Sequence, residues 1–368
     1  MKVWRSWGVV LALCAVLAAC GGSSSVGVGP GPGPGPGPGP GPGPGPGPGP
    51  GPGPGPGPGP GPGPAPTAEI DPVDGFLQLS APLPEYNTNS GAGLLRIAVG
   101  TTATSMTLNV DGIVRRYVLL RPDATLSNAP LLVMLHPSFT TAETMANITN
   151  VSDYALTQGF WVVLPQAQAG GWNDERSPVR DDDVRFISQL IDRVVADGAL
   201  DATRVYATGF SSGGFMTVRL ACDLPSKIAA FAIDAATMRN TVASVCAPTI
   251  QRPKVYFLGT SDLIVAYNGV FPESPNGQRG ADGTIAFWNG LQRCGGVVSS
   301  TLPNRAADGT SVQLDAYSGC ADNTLLQLYT ITNGGHAWPG GDPSFTGTTT
   351  QDIQATGLLW RFVRGFRR

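Results

Sequence analysis

The sequence has few charged residues, and positive charge is sparse. Charged residues make up 13% of its 368 residues, with 23 Lys and Arg against 26 Asp and Glu and a formal net charge of −3. Only three residues are lysines, and the two histidines are His136 and His336. Nucleic-acid binding needs a basic patch or stripe, and the sequence has no such cluster. We therefore expect no nucleic-acid partner.

Cysteine is also scarce, at six residues, and no pair has the CxxC spacing of a zinc site. Cys14 and Cys20 lie at the N-terminus, and four cysteines remain. In an exported protein this even number predicts two disulfides with three possible pairings. We favour the pairings that each close a short segment, which are Cys222 with Cys246 and Cys294 with Cys320. No metal or cofactor is expected.

Long hydrophobic runs are lacking apart from one near the N-terminus. Residues 9–17 are apolar, follow Lys2 and Arg5, and are too short for a permanent transmembrane helix. The next residues, which end in Ala18-Ala19-Cys20, resemble the lipobox of bacterial lipoproteins. The resemblance implies a signal peptide over residues 1–19 and lipid on Cys20, which would anchor the protein to a membrane in the periplasm or at the cell surface. The alternative is an ordinary secretory signal that is cut near Ala19.

Glycine and proline are abundant, but their excess lies in one segment. An unbroken Gly-Pro repeat runs over residues 29–64. Its period of two excludes collagen, which needs Gly at every third position. Because Pro fixes φ and has no N–H to donate, the repeat can form neither helix nor sheet. We predict a disordered tether over residues 20–68 and one catalytic domain over residues 69–368.

Beyond the tether, the hydrophobic pattern predicts strands that alternate with helices. Asp111-Gly112 joins two strand-like runs and predicts a tight hairpin. The predicted strands cover residues 104–110, 113–120, 131–135, 160–164, 204–208, 229–233, 254–258 and 325–331. The predicted helices cover residues 212–222, 283–292 and 351–364, together with a segment from Asp181 to Gly198. This order is typical of an α/β fold with a mostly parallel sheet, helices on both faces and an antiparallel hairpin at the N-terminal edge.

The strongest chemical signal is a G-x-S-x-G motif. It consists of Gly209-Phe210-Ser211-Ser212-Gly213 and lies between the strand predicted at 204–208 and the helix predicted at 212–222. A strand that turns sharply into a helix exposes the central serine at the edge of the sheet. The motif therefore predicts Ser211 as a nucleophile.

A nucleophilic serine needs a base and an acid, which in this type of fold follow it in the order Ser, acid, His. That order selects His336 as the base, and His136 is then structural or part of the oxyanion loop. Asp262 follows the strand at 254–258 and is the preferred acid. The rivals are Asp234, which follows the strand at 229–233, and Asp282, which more readily opens the helix at 283–292.

The oxyanion of the reaction needs two N–H donors. One is expected from Ser212, the residue after the nucleophile. The other is expected from the loop after the strand at 131–135, which contains His136-Pro137-Ser138. Because Pro137 has no N–H, we predict Ser138 as the second donor.

At these residues the chain resembles the secreted esterases of the polyhydroxybutyrate depolymerase and feruloyl esterase type, which are α/β-hydrolases. The similar segments are 204–222, 259–262 and 334–340, and the resemblance spans about residues 112–362. It implies that Ser211, Asp262 and His336 form the catalytic triad. The family usually has His-Gly-Cys where this chain has His136-Pro137-Ser138.

These residues together predict a lipid-anchored serine esterase. Its expected substrate is a polymer, an oligomer or a plant-derived ester. Trp172 and Trp338 lie in Gly-rich segments and are predicted to bind substrate, with core packing as the alternative. Two other functions remain open: a peptidase or polyamide hydrolase that uses the same triad, and a non-catalytic surface lipoprotein.

Overall fold

The computed structural model describes residues 68–79, 86–87, 95–124, 126–180, 182–345 and 347–368. The predicted signal peptide, Cys20 and the Gly-Pro repeat lie outside the described residues. Within the described ranges, no helix is long and apolar enough to cross a membrane.

The described chain contains sixteen strands and seven helices. The strands are β1 (Glu69–Ile70), β2 (Leu77–Gln78), β3 (Tyr86–Asn87), β4 (Ile97–Ala98), β5 (Thr101–Val110), β6 (Ile113–Pro122), β7 (Leu131–Leu135), β8 (Trp161–Pro165), β9 (Val205–Phe210), β10 (Ala230–Asp234), β11 (Lys254–Gly259), β12 (Gly269–Val270), β13 (Gln278–Arg279), β14 (Gly296–Thr301), β15 (Ser311–Ser318) and β16 (Leu326–Thr332). The helices are α1 (Ala142–Thr149), α2 (Val151–Gln158), α3 (Asp183–Gly198), α4 (Ser212–Asp223), α5 (Asn240–Ala243), α6 (Ala281–Gln292) and α7 (Ala355–Val363).

Ten of the strands form one twisted sheet. Their order is β14-β15-β16-β11-β10-β9-β7-β8-β6-β5. The six strands from β16 to β8 run parallel, and the pairs at both edges are antiparallel. This confirms the predicted α/β-hydrolase fold with an antiparallel hairpin, β5–β6, at the N-terminal edge. A second hairpin, β14–β15, forms the opposite edge.

Helices cover both faces of the sheet, and the central strands β7, β9, β10 and β11 are therefore buried throughout. In β7, Leu131, Val133 and Leu135 face one core, whereas Leu132 and Met134 face the other. The first core also contains side chains of α3, α4 and α6, and the second contains side chains of α1, α2 and α7. Parallel strands whose carboxyl ends meet at one edge place the loops that follow β7, β9, β11 and β16 together.

The observed elements extend the predicted ones in several places. Residues 142–158 form two helices that the sequence pattern did not predict, and β14 and β15 were also missed. The predicted stop at Gly198 is confirmed, since Gly198 is the last residue of α3; the left-handed cap is the next residue, Ala199, with φ 47°. The helix predicted at 351–364 begins only at Ala355, where Gln354 caps it by accepting from Thr356 N.

Two disulfides are present. Cys222 of α4 is bonded to Cys246, and Cys294 is bonded to Cys320. This is the pairing that the short sequence separations favoured. The first disulfide ties α4, which begins directly after Ser211, to the segment that follows α5.

Candidate active site

Ser211 lies on the sharp turn between β9 and α4. Its backbone has φ 56° and ψ −120°, a region that residues other than Gly rarely adopt. The turn is held because the Ser211 N–H donates to the Asp234 carbonyl at 3.1 Å and the Phe215 N–H donates to the Ser211 carbonyl at 2.9 Å. Such strain at a candidate nucleophile is typical of a turn that presents its side chain to a cleft.

The two glycines of the motif are required by close backbone packing. A Cβ on Gly209 would lie 2.2 Å from the Gly213 carbonyl oxygen. A Cβ on Gly213 would lie 2.1 Å from the carbonyl oxygen of Leu135 in β7. Both distances are far below van der Waals contact, so only Gly allows β9, α4 and β7 to approach as they do.

His336 and Asp262 form a buried pair at the same end of the sheet. His336 Nδ1 lies 2.7 Å from Asp262 Oδ2, and the two residues are 7% and 6% exposed. The other oxygen, Asp262 Oδ1, accepts from the Ile264 and Val265 N–H groups at 2.8 and 2.7 Å. These donors fix the carboxylate, and the carboxylate fixes the plane of the imidazole ring. The His336 ring lies 5.0 Å, between centroids, from that of Phe210, the residue before Ser211.

Tight contact between two loops brings this pair together. The Ser261 N–H donates to the Gly334 carbonyl at 2.9 Å, and the Asn333 N–H donates to Thr260 Oγ1 at 2.9 Å. A Cβ on Gly259 would lie 2.4 Å from the Gly334 carbonyl oxygen. The glycines of both segments therefore serve the same purpose: they let the loop after β11 pack directly on the loop after β16.

The two rival acids have other environments. Asp234 is 1% exposed, and neither of its carboxylate oxygens has a hydrogen-bond partner among the described residues. Burial, together with the nearby charge of Asp262, raises the pKa of Asp234 well above its ordinary value. Asp282 lies in the first turn of α6. Of the three candidate acids, Asp262 is the one in contact with His336.

Hydrogen bonds of the His136 ring hold the loop that follows β7 in place. The Ala167 N–H donates to His136 Nε2 at 2.9 Å, which makes Nε2 an acceptor and leaves Nδ1 to donate to the Pro137 carbonyl at 2.8 Å. Burial lowers the pKa of His136, which favours this neutral form. The Phe139 N–H donates to the Gly170 carbonyl at 2.8 Å. That N–H is therefore already used, and Ser138 stays the predicted oxyanion donor of this loop.

The hydroxyl groups of Ser138 and Ser212, the two candidate donor residues, both lie close to Gly171. A Cβ on Gly171 would lie 3.3 Å from Ser138 Oγ and 3.4 Å from Ser212 Oγ. Both serines line a cleft of about 510 Å³ together with Ser211. Ser212 is the first residue of α4, and the N–H groups of a first helical turn have no intrahelical acceptor. The site can therefore offer backbone donors beside Ser211.

The structure separates the two tryptophans that the sequence predicted to bind substrate. Trp172 lines the cleft but is only 1% exposed, and its Nε1–H donates to the His136 carbonyl at 2.9 Å. Trp338 is not among the residues that line the cleft. It is 2% exposed, and its Nε1–H donates to Thr356 Oγ1 of α7 at 3.1 Å. The prediction for Trp338 is therefore wrong: this side chain packs in the core between Phe210 and α7.

The sequence patterns missed the charged wall of the cleft. Arg239 Nε lies 2.6 Å from Asp174 Oδ2, and Arg239 Nη1 lies 3.0 Å from Glu175 Oε1. Burial raises the pKa of Asp174, and the positive charge of Arg239 opposes that rise. The Arg239 guanidinium also lies over the ring of Phe215, 4.3 Å from its centroid. The partners Arg239 and Asp174 are 65 positions apart, so no local motif points to them.

Comparison with known proteins finds a family match within this domain. Residues 115–252 match the family model described as "Esterase PHB depolymerase". The matched segment includes Ser211, with the strands and helices on either side of it, and the match confirms the resemblance that the sequence motifs indicated.

Curated relatives of the chain carry esterase names. The chain is 29% identical to "Feruloyl esterase B" of Piromyces equi over 219 residues, which is 57% of this chain and 40% of that protein. It is 26% identical to "Putative esterase NocK" of Nocardia uniformis subsp. tsuyamanensis over 293 residues, or 73% of this chain and 85% of that protein. The chain thus spans less than half the length of the first relative and most of the second.

A solved structure supports the fold. "Acetyl xylan esterase from Aspergillus awamori" superimposes with a TM-score of 0.50 over 64% of this chain and 94% of that one, at 14% identity. At this identity the similarity concerns the α/β-hydrolase fold alone.

Proposed function

We propose that this protein is a serine esterase in which Ser211 is the nucleophile, His336 the general base and Asp262 the acid. The observation that carries the proposal is the buried 2.7 Å contact between His336 Nδ1 and Asp262 Oδ2. It lies at the same sheet edge as the strained turn at Ser211. The match to an esterase family over residues 115–252 adds to this support.

The proposed reaction proceeds in two acyl-transfer steps. The hydrogen bond to Asp262 uses the Nδ1 proton of His336, so Nε2 carries the lone pair that takes the proton of Ser211 Oγ. Ser211 Oγ attacks the ester carbonyl carbon, and His336 returns the proton to the alcohol that leaves. Water then repeats the sequence on the acyl-enzyme, releases the acid and restores Ser211.

The oxyanion of both steps would be held by backbone N–H groups of Ser212 and Ser138. The dipole of α4, which begins at Ser212, adds to the stabilisation of negative charge there. The Asp262 carboxylate holds His336 in the required tautomer and stabilises the imidazolium that forms. No step of this mechanism calls for a metal or a cofactor.

The proposed substrates are carboxylic esters of the classes that the family and relatives suggest: a hydroxyalkanoate polymer or oligomer, or a plant-derived ester. We further propose that residues 1–19 are removed, that Cys20 carries lipid and that residues 20–68 tether the catalytic domain of residues 69–368 to a membrane outside the cytoplasm. The support for the anchor is the sequence Leu17-Ala18-Ala19-Cys20 after a short apolar segment.

The nucleophile is tested by covalent labelling. A fluorophosphonate probe should label the protein, and mass spectrometry of the digest should place the adduct on Ser211. Ser211→Ala should not be labelled, whereas Ser299→Ala, which changes an exposed edge-strand serine, should be labelled like the wild type. An adduct on another serine would contradict the assignment. Turnover of peptides but not of esters would instead favour the amide hydrolase.

The anchor is tested separately from the chemistry. In cells that are fed an alkyne-labelled fatty acid, the wild-type chain should carry the label and sediment with membranes. Cys20→Ser should lose the label and be released as soluble protein with unchanged esterase activity. Export of an unlabelled wild-type chain would overturn the lipid anchor and support an ordinary secretory signal.

A further inference from the structure

Arg239 lines the cleft that contains Ser211. The residue follows β10, whereas its partner Asp174 lies on the loop between β8 and α3. The guanidinium is held on three sides by Asp174, Glu175 and the ring of Phe215. Phe215 is one helical turn from Ser211, since its N–H donates to the Ser211 carbonyl. The Arg239 side chain therefore links the two sides of the cleft close to the candidate nucleophile.

A paired backbone segment continues this barrier. Arg239 forms an antiparallel β-bridge with Gln278, and both residues line the Ser211 cleft. On either side of the bridge, the Arg279 N–H donates to the Met238 carbonyl at 2.9 Å and the Asn240 N–H donates to the Gly277 carbonyl at 3.0 Å. Two backbone hydrogen bonds, one on each side of the bridge, thus hold this edge of the cleft in place.

A second groove lies on the far side of this edge. The next residue in each segment, Asn240 and Arg279, lines a groove of about 560 Å³, which is comparable to the 510 Å³ of the cleft. Thr241, Ser244 and Glu273 also line the groove, so its walls are mostly polar. The two cavities are neighbours, and Arg239 with Gln278 separates them.

We propose that Arg239 is a specificity-determining residue that closes one end of the Ser211 cleft and limits the length of the substrate chain extending from the ester in that direction. The proposal rests on the esterase function proposed above. An arginine without ion-pair partners could change its rotamer to admit a longer substrate chain at little cost in free energy. Here, displacement would break an ion pair to a carboxylate that is 6% exposed, and a buried charge left without its partner is strongly unfavourable.

The test compares Arg239→Ala with the wild type and with Arg176→Ala. Arg176 lies on the same loop as Asp174 and pairs with Asp223, but neither residue lines the cleft. Two substrate series are needed: p-nitrophenyl esters from acetate to dodecanoate, and acetates of alcohols from methyl to octyl. In one series, Arg239→Ala should raise the kcat/KM ratio of the long to the short substrate by about tenfold or more, because the wall that excludes the longer chain in the wild type is removed. Arg176→Ala should change that ratio by less than about threefold.

Unchanged ratios in both series, from folded Arg239→Ala, would overturn the proposal. Should Arg239→Ala fail to fold, Asp174→Asn keeps the shape of the wall and removes the charge that pins Arg239. It should shift the same ratio in the same direction by a smaller factor, and an unchanged ratio would again count against the proposal.

A crystal structure of Arg239→Ala gives a readout that needs no turnover. The expected result is one continuous cavity from Ser211 to Arg279, and a wall that persists would contradict the inference. The two proposals can fail separately: a wild-type protein that hydrolyses no ester of either series contradicts the esterase function, whereas the crystal structure still decides whether Arg239 is the barrier.

Discussion

Replacing Lys254 with Met should change the stability of this protein in a strongly pH-dependent way. Lys254 begins β11 and is 1% exposed. Its ammonium group donates to the Arg252 carbonyl at 2.7 Å and lies 3.5 Å from Gln292 Oε1 and 4.1 Å from the ring centroid of Trp288. No carboxylate among the described residues forms an ion pair with it. Burial therefore lowers the pKa of Lys254 from 10.5 to about 7.

The sign and size of the effect follow from linkage. Between pH 7 and 10.5 the unfolded chain binds a proton at Lys254 that the folded protein does not, so the free energy of unfolding rises with pH in this window. The free energy of unfolding is thus highest above pH 10.5, the pKa of Lys254 in the unfolded chain. It decreases as the pH falls towards about 7, the pKa of Lys254 in the folded protein. From pH 10 to pH 6 the loss is about 4 kcal/mol. Met has a similar length and no charge. It cannot donate the hydrogen bond to the Arg252 carbonyl, which contributes about 1 to 2 kcal/mol to the free energy of unfolding.

The assay is equilibrium urea unfolding, followed by tryptophan fluorescence, at pH 6 and pH 10. At pH 6, Lys254→Met should be more stable than the wild type by about 3 kcal/mol, and at pH 10 the two should be nearly equal. Lys227→Met is the matched control, because Lys227 is half-buried and paired with Asp192, and its effect should be within about 1 kcal/mol at either pH. A difference between Lys254→Met and the wild type that is the same at pH 6 and pH 10 would refute the account of this buried lysine.

Three further changes test the surroundings of the site. Gly213→Ala should lower kcat/KM at least about 100-fold, because its Cβ would lie 2.1 Å from the Leu135 carbonyl oxygen, whereas Gly290→Ala, which meets nothing within 4 Å, should leave kcat/KM unchanged. Asp262→Asn should lower kcat on the order of 10³- to 10⁴-fold with little change in KM, because His336 loses the acceptor that fixes its tautomer; a loss below tenfold would speak against Asp262. The double substitution Cys222→Ser with Cys246→Ser removes a cross-link between positions 24 apart, which restricts the unfolded chain. It should lower the free energy of unfolding, measured with denaturant, by about 3 to 4 kcal/mol. A loss below about 1 kcal/mol would contradict this chain-entropy argument.

The sequence predicted well where local pattern and burial agree. The run 131–135 was predicted as a strand buried on both faces, and β7 has these bounds with every residue buried. The helix predicted from Ser212 is α4, because the Gly and Ser residues of the motif mark the turn at its start. The hairpin at Asp111-Gly112 also formed, since both residues have positive φ.

Elements that depend on distant partners were missed. The helices α1 and α2 meet at Asn150, whose φ of 51° ends one and precedes the other, so the apolar period is interrupted. In β14 all six residues are exposed, and its strand pairing with β15 is decided by backbone hydrogen bonds rather than by an apolar pattern. Sequence periodicity carries little information about such segments.

In the candidate site, too, local sequence patterns were predictable and contacts between distant segments were not. Ser211, Asp262 and His336 each lie in a Gly-containing segment that follows a strand, and the order of strands in a parallel sheet makes their convergence predictable. Trp338 was misplaced because a tryptophan between glycines gives no sign of its contact with Thr356. The pair of Arg239 with Asp174 joins two loops that only the folded sheet brings together.

The most direct measurement of the central proposal is the hydrolysis of p-nitrophenyl butyrate by the purified wild type, Ser211→Ala and Ser299→Ala. We predict turnover by the wild type and by Ser299→Ala, and a loss on the order of 10⁴-fold or more in Ser211→Ala with an unchanged melting temperature. Turnover that persists in folded Ser211→Ala, or its absence from all three proteins, would contradict a serine esterase built on Ser211, His336 and Asp262.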